Sequence, residues 1–300
     1  MSSLKKRIII GLNEAFRLSY FPFNERIFTN VFSGVGIEIG ALNHPMVVQG
    51  DVNILYVDHL DTDGLRRHYP ELSNIDIVNV DVVADVSNLD SAFSPNSLDF
   101  IVANQIVEHL EDPLGAIMQF HKILRVGGIV HLSVPDKRIT FDRDRPRTFL
   151  AHLIQDRKES KGPQKELRLS QHYREWVEKV PKYFPEDRRE YINSFEKQWA
   201  DHYAIHFHCW EPDDWPIIIN YLNQNGYPFH LLDYSYVLAA EDRNEFVLIL
   251  QKETVPCILP NNLPEKGPKR WFIARFLRRV LLINHLKRFL RPLKHLFHLS

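Results

Sequence analysis

The stretch from Asp99 to Pro135, DFIVANQIVEHLEDPLGAIMQFHKILRVGGIVHLSVP, leaves a folding chain few choices. Asp99 to Ala103 is too short for a helix and apolar on both faces, which suits a buried parallel strand. Asp112 and Pro113 supply an N-cap and a first-turn proline. Leu114, Ile117, Met118, His121, Ile123 and Leu124 follow at helical spacing. Gly127-Gly128 is expected to stop that helix, and Ile129 to Val134 reads as the next strand. Together these form a right-handed βαβ crossover, and ligands of such units lie beyond the carboxyl ends of the strands. Asn104-Gln105, Glu108-His109 and Pro135-Asp136 all fall at that edge.

The rest of the chain extends this unit in both directions. Residues 4–32 carry the pattern of one or two short amphipathic helices. GVGIEIG (34–40) gives a first strand, and ILYVDHL (54–60) a second with Asp58 at its carboxyl end. IDIVNVDVVADV (75–86) alternates and predicts a third. From Asp136 to about Ala204 the composition turns charged and aromatic without a strand signal. QHYREWVEKV and EDRREYINSFEKQW within it read as helices, which predicts a helical insertion over the carboxyl edge of the sheet. Glu211 to Asn225 predicts a helix with acidic residues in its first turn and Gly226 just past its end. FHLLDYSYVLAA (229–240) and EFVLILQK (245–252) then predict an antiparallel hairpin. Four prolines in 253–268 mark a linker.

The EHL-DP…L-GG residues of the opening stretch resemble those of class I S-adenosylmethionine (SAM)-dependent methyltransferases. Five parallel strands followed by an antiparallel hairpin match that family's topology. The resemblance implies a doubly wound, mostly parallel seven-stranded α/β sheet of Rossmann-like form over 34–252, with 136–204 as a helical substrate cap. An N-terminal helical extension (1–33) precedes it, and a linker with a basic tail (253–300) follows. The resemblance also implies S-adenosyl-L-methionine as cofactor. Glu38, Gly40 and Ala41 then occupy the turn where the family places its glycine-rich loop. Asp58 follows Glu38 by twenty residues, the separation expected of an acid that hydrogen-bonds ribose hydroxyls. Asp85, with Val86 beside it, holds the family position that meets the adenine amino group, and Asn104 and Gln105 complete the edge.

The usual acid-x-Gly-x-Gly-x-Gly is here Glu38-Ile39-Gly40-Ala41-Leu42-Asn43-His44-Pro45. Two glycines are missing, and Pro45 disfavours a long helix directly after the turn. This variant loop, VDHL…LRRHYPEL after it and VPDKRITFDRDRPRT further on look like a methyltransferase subgroup found among cell-surface glycan biosynthesis proteins. Gly34-x-Gly36-x-x-x-Gly40 superficially resembles a dinucleotide fingerprint, but that fingerprint follows a strand, and here the first two glycines precede one.

A sugar hydroxyl, the acceptor that the subgroup implies, is a poor nucleophile until it loses its proton, and histidine is suited to take one near neutral pH. Candidate bases are His109, and His202, His206 and His208 in DHYAIHFHCW; His109 belongs to the EH-x-x-DP motif and reads as pocket architecture. His206-x-His208 also reads as a strand edge. A metal set of Asp201, His202, His206 and His208 matches no motif, so no metal is assigned. Asp136, Lys137, Arg138, Asp142, Arg143 and Arg145 suit either a polyhydroxylated or anionic acceptor or a salt-bridged loop root.

Two distant cysteines, Cys209 and Cys257, exclude a disulfide framework or CxxC metal site and suit a reducing cytoplasm. No apolar run approaches the length of a membrane span, and Asn13, Glu14 and Arg17 interrupt the N-terminal apolar patch too soon for a signal peptide. The formal charge of −1 hides an asymmetry: 266–300 holds ten Lys and Arg and no acid, leaving 27 basic against 38 acidic side chains elsewhere. Phe272, Phe276, Val280 and Ile283 recur at helical spacing among those bases, which reads as an amphipathic tail for an inner membrane surface or a partner protein. The acidic remainder opposes nucleic-acid binding. The expectation is a cytoplasmic enzyme methylating a sugar or glycan precursor. Its rival is a non-catalytic SAM-fold module that recruits glycan-biosynthesis enzymes to the membrane.

Overall fold

Seven strands form one sheet in the order β3-β2-β1-β4-β5-β7-β6. The computed structural model describes residues 32–48, 51–69, 72, 74–200, 202–236 and 245–260. The N-terminal helices expected at 4–32, the hairpin turn at 237–244 and the basic tail lie outside the described residues.

β1 (Gly34–Ile39), β2 (Val52–Asp58), β3 (Val82–Val83), β4 (Leu98–Asn104) and β5 (Leu124–Pro135) run parallel. β6 (Phe229–Tyr236) and β7 (Glu245–Lys252) close the sheet as the expected antiparallel hairpin, with β7 hydrogen-bonded to β5. β1 and β4 are neighbours, so the strand order reverses between them, and the crevice at their carboxyl ends is the place for a ligand. Gly36 shows how tightly they pack: a Cβ there would stand 2.4 Å from the Phe100 ring. The glycines of β1 therefore serve packing, as the rejected fingerprint reading requires.

Helix α1 (Thr62–His68) follows β2, and α2 (Pro113–Ile123) follows β4. Asp112 caps α2 by accepting the Gly115 amide at 2.8 Å, and Leu114, Ile117, Phe120 and Ile123 form its buried face. The helix ends at Ile123, four residues before the glycine pair. Leu124 is buried and already extended, and Gly127-Gly128 fall inside β5 near the register shift opposite Leu98 and Phe100. The expected third strand shrinks to Val82–Val83. At Asp81 the side chain accepts the Tyr56 amide at 2.8 Å, replacing a ladder carbonyl, so the alternating stretch runs beside β2 without pairing along its length. Among the described residues no helix follows β1, as Pro45 requires.

The insertion leaves β5 at Asp136 and returns at Trp210, and these two residues pair as an isolated parallel bridge. Between them lie α3 (Leu150–Glu159), α4 (Lys165–Lys179), α5 (Glu186–Ile192) and α6 (Phe195–Ala200). The second predicted helix is split at Asn193-Ser194, where Ser194 Oγ accepts the Lys197 amide and starts α6. Tyr173, Trp176, Val180 and Ile205 give the insertion an apolar core of its own, with Phe141, Phe195 and Trp199 packed against it. α7 (Trp215–Gln224) follows a turn closed by a Glu211–Asp214 capping box, and Gly226 lies just beyond its end. Residues 253–260 run along α7: Asn220 exchanges hydrogen bonds with the Leu259 backbone, and Asn223 donates to the Cys257 carbonyl.

Candidate active site

Three sequence-selected residues converge on the β1–β4 crevice: Gly40, Asp58 and Asn104 end adjacent strands. Gly40 has φ +66°, and a Cβ there would stand 2.5 Å from Ile106 Cδ1, so the turn needs glycine for conformation and space alike. Ala41 is buried beside it and Leu42 continues in the left-handed region at φ 47°. Asp58 Oδ1 accepts both the His59 amide at 2.8 Å and His59 Nδ1 at 2.7 Å. That hydrogen bond raises the pKa of His59. Asn104 Oδ1 is buried without a hydrogen-bond partner among the described residues. An orphaned amide oxygen, a glycine turn open to close approach and a carboxylate at the β2 end fit the amino-acid and ribose groups of SAM.

The other selected residues have different places. Glu38 is 1% exposed, and both its oxygens accept the Met46 amide, at 2.9 and 3.0 Å. It folds the variant loop back on itself from below, and burial pushes its pKa up to about 7. Asp85 is exposed and caps the 3-10 turn Val86–Ser91 by accepting the Ser87 amide, while Val86 is half-buried. Gln105, at φ +54°, turns its side chain to Ser133 Oγ and, at 2.7 Å, Glu245 Oε2.

A second group lies just past β4, in the turn Val107–His109. The Glu108 carbonyl accepts the amides of Phe207 and His208, which brings the DHYAIHFHCW run to the carboxyl edge. His206 Nδ1 donates to Asp142 Oδ2 at 2.6 Å, which leaves Nε2 as the ring's second nitrogen. Asp142 is held from behind by Arg145 Nη1 at 2.8 Å, and Arg145 also donates to the His206 and Phe207 carbonyls and to Glu175. Burial alone would raise the Asp142 pKa, but the hydrogen bond from His206 and the Arg145 guanidinium beside it outweigh it and leave the carboxylate below its ordinary range. His109 donates Nδ1 to the Ile205 carbonyl at 2.9 Å, and its ring stands edge-on to His206 at 4.7 Å. Burial pushes His109 down to about 3, so it stays neutral and acts as a wall of the pocket. Glu108 is 1% exposed with neither carboxylate oxygen paired among the described residues, and burial raises its pKa well above normal. Glu108, His109 and His206 each bring one donor atom within 4.8 Å of the others.

His208 separates from this group. It is fully buried, stacks on Trp210 and faces His152, Asp156 and His172 in the insertion, so it is withdrawn from the set of candidate bases. Among the described residues of the run only Trp210 forms a bridge, so it is not a strand edge. His202 is exposed at φ 49°, and Asp201 lies outside the described residues. The charged residues after β5 pair mainly with the protein itself: Arg138 with Asp136, Arg145 with Asp142 and Glu175, and Lys137 with the Arg143 carbonyl. They form a salt-bridged loop root. Sequence reading placed Asp142 and Arg145 near an acceptor but missed that they orient His206, and it left Glu108 without a role. The repeated acid-base spacing in TFDRDRPRT was the available signal.

A methyltransferase-domain family matches residues 26–210. No curated protein sequence matches the chain. Among solved structures, the CurJ carbon methyltransferase is 12% identical over 73% of this chain and 48% of its own, with TM-score 0.38. The carbon methyltransferase domain of the citrinin polyketide synthase is 14% identical over 76% and 48%, with TM-score 0.38. A SAM-dependent methyltransferase from Thermotoga maritima is 12% identical over 84% and 100%, with TM-score 0.37. The chain spans about half the length of the first two. With more than half its length matched, the chain belongs to the methyltransferase-domain family.

Proposed function

We propose that the protein methylates a hydroxyl of a sugar or glycan precursor, with His206 as the base. The observation that carries this reading is the Asp142–His206 pair at the carboxyl edge of β4. Bound SAM supplies an electrophilic methyl on a sulfonium; Gly40, Asp58 and Asn104 are the residues that would hold it. The chain's remaining task is to align an acceptor oxygen and remove its proton. Asp142 fixes the His206 ring and stabilises the imidazolium that forms, and Arg145 keeps Asp142 in place. His109 and Phe141, each with its ring 4.7 Å from His206, exclude water from one side of the base. A positioned base of this kind contributes about 10²–10⁴-fold. The subgroup resemblance in the variant loop and in VPDKRITFDRDRPRT supports a surface-glycan acceptor.

The test incubates the full chain with methyl-labelled SAM and surface-glycan oligosaccharides, and locates the label by mass spectrometry. Label on oxygen is expected. His206→Ala should lose about 10²–10⁴-fold in turnover while calorimetric SAM binding stays unchanged. Label on carbon or nitrogen, or full turnover in the variant, overturns the reading. SAM binding without transfer to any glycan would favour the rival, a recruiting module.

A further inference from the structure

Asp156 Oδ2 is met by three imidazoles from three parts of the chain. His152, one turn earlier on α3, brings Nε2 to 2.9 Å; His172 on α4 brings Nε2 to 3.4 Å; His208, on the return to the sheet, brings Nε2 to 3.8 Å. All four donor atoms lie within 4.8 Å of one another. His152 and His172 stand at ion-pair distance from this oxygen, yet neither meets it with hydrogen-bond geometry, and it has no other hydrogen-bond partner among the described residues. His208 is fully buried with both ring nitrogens likewise unpaired. A buried imidazole and a buried carboxylate oxygen without partners are costly in a protein that needs nothing else there.

The three separations from Asp156 Oδ2 suit ligands around an ion. Tetrahedral donors with bonds of about 2.0–2.1 Å stand roughly 3.3 Å apart, in the middle of the three observed separations. The other carboxylate oxygen is already oriented: Arg168 donates to Asp156 Oδ1 from Nε at 2.7 Å and also from Nη2. An outer hydrogen bond of this kind aims a carboxylate ligand. Arg168 Nη2 also reaches His152 Nε2 at 3.2 Å, a contact that metal binding replaces. A cleft lined by Glu111, Asp156, Glu159, Lys165, Arg168 and His172 gives an ion access.

We propose that His152, Asp156, His172 and His208 form a closed site for one zinc ion that fastens the insertion to the 202–210 return. Three imidazoles and one carboxylate suit a borderline divalent metal, and four protein ligands leave no position for substrate, so the ion is structural. Its place explains its use. His208 is two residues from His206 but faces the opposite cluster, so an ion gripping His208 against α3 and α4 holds the backbone that presents His206.

Zinc content of the full chain, purified and then reconstituted with zinc and dialysed, is the direct measurement. One zinc per chain is expected by plasma mass spectrometry. His152→Ala should lose it; the side chain is partly exposed, so this variant folds even if a deeper one does not. His172→Asn should lose it too, whereas His206→Ala and Glu108→Gln should keep it. Cobalt(II) loaded in place of zinc should give the strong visible bands of a tetrahedral site, absent in His152→Ala. A chelator should lower the melting temperature of the parent chain but not that of His152→Ala. No bound zinc after reconstitution, zinc unaffected by both His152→Ala and His172→Asn, or zinc lost only through Glu108→Gln overturns the proposal.

Discussion

Glu38 holds the loop after β1 from inside the protein, and its carboxyl therefore couples folding to pH. Burial raises its pKa from 4.5 to about 7, so the native state binds this proton more tightly than the unfolded chain does. The stability it contributes is complete below about pH 4.5 and is lost as pH rises through about 7. Glu38→Gln keeps an acceptor for the Met46 amide and never ionises. The SAM-free variant should be more stable than the parent at pH 8, by at most about 3 kcal/mol, and equally stable at about pH 4. A difference that does not change with pH would remove Glu38 as the coupling group. On the proposed ribose contact of Asp58, Asp58→Ala should abolish SAM binding in calorimetry while leaving the melting curve nearly unchanged. Retained binding would take the ribose away from Asp58.

At the scale of elements, the insertion has its own core, so damage there should separate from cofactor binding. Trp176 in α4 is 2% exposed, and Trp176→Ala should cost roughly 3–5 kcal/mol in denaturant unfolding. SAM affinity measured below the transition should persist, because Gly40, Asp58 and Asn104 belong to the sheet; loss of both together would mean the two parts fold as one. The elements most legible in the sequence were those whose signals are local. Asp112, Pro113 and a buried stripe fix α2, and unbroken apolar runs fix β4 and β7. β3 was overread because alternation reports which face is buried and says nothing of pairing, and Asp81 spends its side chain on the Tyr56 amide. The end of α2 was misplaced because a buried Leu124, already extended, stops the helix before the glycines. The two histidine clusters were least legible. Asp142 and His206 are 64 residues apart, and only the fold joins them. His152 and Asp156, one helical turn apart on α3, were the single local hint of the second cluster.

For the molecule as a whole, charge and connectivity carry separate messages. Among the described residues no helix is long and apolar enough to cross a membrane. We propose that the ten bases of 266–300 hold the enzyme on an anionic surface near a lipid-linked acceptor, each adding about 1 kcal/mol before screening. Deleting 266–300 should weaken co-sedimentation with anionic vesicles at least tenfold and spare SAM binding; unchanged sedimentation rules out the tail as anchor. The bridge between Asp136 and Trp210 has a different reach. It brings the two ends of the insertion together, so the sheet meets the same pair of anchor points however much chain lies between them. Lengthening a loop whose ends are already joined costs little, since closure entropy grows only with the logarithm of length. On the function proposed above the insertion is a cassette: it can be trimmed or enlarged between fixed anchor points, with the acceptor changed, and the strands that would hold the methyl donor stay as they are.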